Sequence, residues 1–192
     1  MKTNTLRFSL LLAGLALSTP AFANVNADAG YVDLGKFSAA DGCEYVEINL
    51  KSGLLKFAAK IAAAHEPEVA DLLRNIKMVR VNVVGMDDSN RADTTNRVVA
   101  MRADLETQGW EKIVTVREAG DKGGDDVAIY VMADGEEAIS GLVVTVLEKN
   151  GKAVVVNVVG NIRADQIAQL GEKFDIKPLR EIKVKVDAET GA

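Results

Sequence analysis

From Trp110 to Gly160 the chain offers little but strands. Val-rich runs at Trp110 to Glu118, Val127 to Met132, Leu142 to Glu148 and Lys152 to Gly160 follow one another through short polar connections. Parallel neighbours need a crossover of a dozen or more residues, so strands joined this closely pair antiparallel. Asn150-Gly151 marks the last connection as a two-residue hairpin, because both residues tolerate positive φ. The second half is therefore an antiparallel meander, and any helices must be layered onto it.

The first half supplies those helices. Glu44 to Leu50 alternates, with Val46, Ile48 and Leu50 on one side and Tyr45, Glu47 and Asn49 on the other, which reads as a half-buried strand. Ser52 is a plausible N-cap for a helix carrying Leu54, Leu55, Ala58, Ile61 and Ala62. Pro67 suits the first turn of a second short helix ending near Leu73. Met78 to Gly85 is a strand. Asp93 or Thr94 caps a third helix with the stripe Val98, Met101 and Leu105, stopped by Gly109. Arg163 to Phe174 reads as a last helix, followed by a tail over 175–192. The expected class is α+β, one antiparallel (mixed) sheet of about six strands in the order β-α-α-β-α-β-β-β-β-α, with helices mainly on one face.

One internal echo stands out. Val81-Asn82-Val83-Val84-Gly85 returns as Val156-Asn157-Val158-Val159-Gly160, and each copy precedes an Arg-Ala-Asp helix start, at Arg91 and at Arg163. At two copies this is no solenoid.

Alternation sorts the strand residues into two faces. Val46, Ile48, Val79, Val81, Val83, Val127, Ile129, Val131, Val144, Val146, Val154, Val156 and Val158 share the face expected to lie under the helices. The reverse face carries Tyr45, Arg80, Asn82, Arg117, Tyr130, Met132, Leu147 and Asn157 among other residues. If helices cover one side only, this mixed face is open and is the candidate interaction surface, since Tyr, Met and Arg are enriched at interface centres. The alternative is that the segment before the first strand, or the tail, covers it.

The amino terminus is read as an export signal. Lys2 and Arg7 precede an apolar stretch from Phe8 to Leu17, and Ala21-Phe22-Ala23 offers a small-x-small cleavage site. The stretch is shorter than the roughly 20 residues a membrane-spanning helix needs. Cleavage after Ala23 makes residues 24–43 a Gly/Ala-rich leader and 44–174 the folded domain. A lipid anchor would need a cysteine where Asn24 stands, so none is expected, and neither is a transmembrane segment. The location implied is periplasmic, or secreted. Removing two cations takes the net charge from −5 to −7. With no basic run, this balance argues against both nucleic acid and an anionic membrane as partners.

The inventory for chemistry is thin. Cys43 is the one cysteine and His65 the one histidine, too few for a nucleophilic triad or a zinc site. Cys43 reads as a half-buried residue at a strand start, and His65, at a helix break, as a solvated side chain. Asp87-Asp88 and Asp121 with Asp125-Asp126 lack the register of a calcium loop. Gly120 to Gly124 lacks the Lys-Ser/Thr of a phosphate cradle, and no serine sits in a Gly-x-Ser-x-Gly elbow. No cofactor, metal or catalytic residue is expected. The expectation is a non-enzymatic module binding itself or an envelope protein. A carrier of small apolar ligands or lipid, and a hydrolase using paired carboxylates, are the alternatives.

The export signal, the helix-rich start, the paired Val-Asn-Val-Val-Gly strands and the Asn-Gly hairpin together resemble the bacterial domain-of-unknown-function family 4252, over about residues 44 to 174. The resemblance implies an α+β fold and an envelope location. It carries no catalytic residue across, because the family has none assigned. Many members are lipid-anchored, and Asn24 departs from that pattern.

Overall fold

The computed structural model describes residues 28–118, 124–163 and 166. The expected signal peptide, most of the Gly120 to Gly124 loop, most of the last helix and the tail lie outside the described residues.

Among the described residues nine elements follow in order: β1 (Tyr45–Lys51), α1 (Ser52–Ala62), α2 (Pro67–Asn75), β2 (Ile76–Gly85), α3 (Arg91–Thr107), β3 (Glu111–Arg117), β4 (Asp126–Asp134), β5 (Ala138–Glu148) and β6 (Lys152–Arg163). Pro67 opens α2, where its missing N–H costs nothing. Ser52 is the first residue of α1 rather than its cap. α3 begins at Arg91, ahead of the expected caps. Its C-terminus closes in a Schellman motif, with Gly109 at φ +87, its N–H bonded to the Glu106 carbonyl and that of Trp110 to Leu105. β5 starts at Ala138, earlier than expected, because Ala138-Ile139-Ser140-Gly141 crosses a bulge and breaks the alternation. The β5–β6 loop holds three residues, since Glu148 pairs with Lys152, and Gly151 takes φ +90.

All six strands form one antiparallel sheet in the order β1-β2-β6-β5-β4-β3. β2 and β6 are neighbours, so the two Val-Asn-Val-Val-Gly copies lie side by side, with Val81 opposite Val156, Asn82 opposite Val155 and Arg80 opposite Asn157. A local twofold through the Val81–Val156 pair exchanges them.

The register makes the first face an aliphatic lattice. Val46, Val83, Val154, Val146, Val127 and Val116 are successive partners across the whole sheet, and Ile48, Val81, Val156, Val144, Ile129 and Val114 form the next row. Leu55 of α1 and Leu72 of α2 close one end of it with Ile76, Ile129, Val131, Leu142 and Ile162. The all-valine row stays half-buried at best, and Val116 is exposed.

The second face corrects the sequence-based expectation. It is not open. Val98 and Leu105 of α3, Trp110, and Val32, Leu34 and Phe37 of the leader pack on Val84, Ala128, Tyr130, Val143, Ala153 and Val155, every one of them buried. Helices thus sit on both faces, and residues 28–43 form a strap over the mixed one. The strap can lie flat because it crosses β5 at two glycines. A Cβ on Gly30 would overlap the Ser140 carbonyl, and one on Gly141 would overlap Gly30. Polar residues on this face do not signal solvent. Asn157, Arg80 and Thr145 bind what covers it.

Candidate functional site

Asn157 holds the strap. Its Oδ1 accepts from the Val32 N–H at 3.1 Å, and its Nδ2 donates to the Gly30 carbonyl at 3.0 Å and to the Leu142 carbonyl at 3.3 Å. A carboxamide with one acceptor and two donors meets an extended backbone as a neighbouring strand would. Ala40 adds a backbone bond to the Gly85 carbonyl at 3.2 Å, and Asp28 pairs with Lys77 at 2.5 Å. Asn82, the counterpart in the other copy, is equally buried, and its Oδ1 has no partner among the described residues.

Arg102 does the equivalent work for α3. From the buried stripe of that helix it donates to Thr145 Oγ1 at 2.8 Å and to Asp126 Oδ1 at 2.7 Å, with Asp126 mostly shielded as well. Buried charges persist only when paired. Sequence reasoning passed over Arg102, although its spacing from Val98 and Leu105 put a guanidinium on the apolar stripe. Beside it, the Tyr130 hydroxyl donates to Glu106 Oε1 at 3.3 Å, and Lys112 reaches the same carboxylate at 2.5 Å. The Lys112 bond holds Glu106 below the usual carboxylate range and lifts the ammonium above its own ordinary value. Burial pushes the Tyr130 phenol up.

The eight residues singled out as an interaction face are scattered by this arrangement. Tyr130 and Asn157 are 0 % exposed and Asn82 is buried, so none of the three can meet a partner. Met132 and Leu147 are half-buried against the same core. Arg80 is half-buried with its guanidinium 6.0 Å from the Tyr31 ring centroid. Only Tyr45, whose hydroxyl donates to Glu47, and Arg117, near Asp126, remain at the surface, on β1 and β3 at opposite edges of the sheet.

Exposed apolar surface lies elsewhere. On α1, Leu54, Phe57 and Ile61 are 55, 59 and 62 % exposed, while Leu55 and Ala59 are buried. Ile48 of β1 adds 40 %. The apolar residues of α1 were visible as a helical pattern, but periodicity alone did not separate its packed stripe from its bare one.

A groove of about 550 Å³ runs between the strap and α3, lined by Tyr31, Asp33, Leu34, Arg97, Met101 and Asp104 among others. Arg97 is already engaged by Asp93 and by the Lys36 carbonyl. His65 is exposed and Cys43 half-buried. Among the described residues no three His, Cys, Asp or Glu side chains converge as a metal site would require, and no helix is long and apolar enough to cross a membrane.

No curated protein and no solved structure matches the chain. A family profile does, over residues 39–170, from the end of the strap to beyond β6, and the chain belongs to the family described as Domain of unknown function (DUF4252).

Proposed function

We propose that this chain is an exported, non-enzymatic interaction module of the cell envelope, and that its contact surface is the bare side of α1 with the neighbouring aliphatic edge of the first sheet face. The observation that carries this reading is the exposure of Leu54, Phe57 and Ile61 together, on one side of one helix. Contiguous apolar surface of this kind marks contact sites in folded proteins. The mixed sheet face, favoured on sequence grounds, no longer supports the reading, because the strap and α3 occupy it.

The carrier alternative finds less support. Its ligand would have to sit in the groove beside the strap, where Asp33, Arg97 and Asp104 supply a charged lining that suits no fatty chain. The hydrolase alternative needs two free carboxylates across a cleft. Asp33 and Asp104 do line the groove beside the strap, but Tyr31 is the one aromatic there where a glycan cleft wants several, and Asp126 and Glu106 are tied to Arg102 and Lys112.

A photo-crosslinking residue placed at position 57 in the exporting cell tests the module. It should capture a lipid or a protein, and the same group at Glu136, exposed beside the β4–β5 turn, should capture neither. No adduct at position 57 would count against the proposal.

A further inference from the structure

We propose, resting on that reading of the α1 surface, that the partner is a lipid bilayer with anionic headgroups, met by α1 lying along its surface. In a helix of 3.6 residues per turn, Leu54, Phe57 and Ile61 fall within an arc of about 60°. Lys60 and then Lys56 follow around the exposed side, beyond Phe57. Both lysines are exposed, and neither has an ion-pair partner among the described residues. Lys51 stands exposed at the N-cap. α1 carries no acidic residue; the nearest carboxylates along the chain are Glu47 of β1, which accepts from the Tyr45 hydroxyl, Glu66 just before α2, and Glu68 of α2.

Composition separates the two classes of macromolecule that could cover such a stripe. Protein interfaces are depleted of Lys and favour Tyr, Trp and Arg at their centres. A short helix with Leu, Phe and Ile on one side and unpaired Lys beside them has the make-up of an interfacial membrane helix, where long Lys stems let the ammonium reach the phosphates. Beyond half-buried Ser52 at the helix start, the polar side chains on the exposed side of α1 are those two ammoniums. The acidic balance that argues against an anionic membrane on sequence grounds is a property of the whole chain, and exposed charges more than about 10 Å from α1 are screened at physiological salt.

The test is sedimentation of the purified chain with vesicles of phosphatidylglycerol and phosphatidylethanolamine, and with vesicles of phosphatidylcholine alone. Binding should favour the anionic vesicles at least tenfold and weaken in high salt. Phe57→Asp should lower it at least tenfold, and Lys56→Glu with Lys60→Glu several-fold, each with an unchanged circular dichroism spectrum. Val99→Asp, on an equally exposed apolar residue of α3, should leave binding as it was. No vesicle binding, equal binding to both compositions, or equal loss in Val99→Asp overturns the lipid assignment. A protein adduct or a dimer formed through position 57 without vesicle binding also overturns it, and leaves the interaction module standing.

Discussion

The two faces of the sheet carry opposite messages. The first is the more apolar, row upon row of Val and Ile, yet among the described residues α1 and α2 close one end of it. The second holds Asn82, Thr145, Asn157 and Tyr130, yet it is the better buried. Burial here follows specific attachment rather than hydrophobicity. A strap needs backbone partners to lie flat on a sheet, and Asn157 provides them. An Arg on the buried stripe of α3 needs an acceptor, and Thr145 and Asp126 provide one. Each buried polar group is costly alone and stabilising in its pair.

The largest effect should come from removing the second face's central side chain. Tyr130→Ala is expected to cost about 3–5 kcal/mol in denaturant unfolding, the range for truncating a large buried aromatic. Next comes the pin. Asn157→Ala strands the Gly30 carbonyl and the Val32 N–H and should cost about 2–3 kcal/mol, with residues 28–43 becoming open to protease while α1 and α2 stay resistant. An intact, resistant strap in that variant would show that apolar packing alone holds it.

Neighbouring valines on β6 sharpen the contrast further. Val155→Ala, on the strap side, should cost about 2 kcal/mol, from two buried methyl groups at about 0.8 kcal/mol each plus a small cavity. Val156→Ala, on the half-buried side, should cost less than half of that. Equal costs would erase the distinction between the faces.

On the alkaline side, Tyr130 and Lys112 hold their protons more tightly in the folded chain than in the unfolded one. Their contribution is complete below pH about 10, the ordinary value for these groups, and is lost as pH rises beyond it. Stability measured against pH should therefore fall above that point, and less steeply in Tyr130→Phe. The smallest expected change is in the stability of Phe57→Asp, within about 0.5 kcal/mol of the parent because the side chain is exposed.

Much of the fold is legible in the residues. Pro67 announces the start of α2, Gly109 the end of α3, and Asn150-Gly151 the last hairpin, because each meets a backbone requirement that few other residues satisfy. The echoed Val-Asn-Val-Val-Gly pair marks two strands that prove to be neighbours. The strap is not legible. Val32, Leu34 and Phe37 are spaced among Gly, Ala, Asp and Ser, and the strap's hold on the sheet depends on Asn157, 125 residues from Val32 along the chain. Alternation likewise assigns residues to faces correctly while remaining silent on which face is covered, and so it pointed to Tyr130 and Asn157 as contacts when they are core.

Hydroxyl-radical footprinting of the intact chain tests the division of the faces most directly, since it reports on two reactive aromatic rings in one experiment. Phe57 should be oxidised readily, with Leu54 and Ile61, while Tyr130 stays at the level of a buried side chain until the chain unfolds. Rapid oxidation of Tyr130 in the folded chain, with Phe57 protected, would contradict the account.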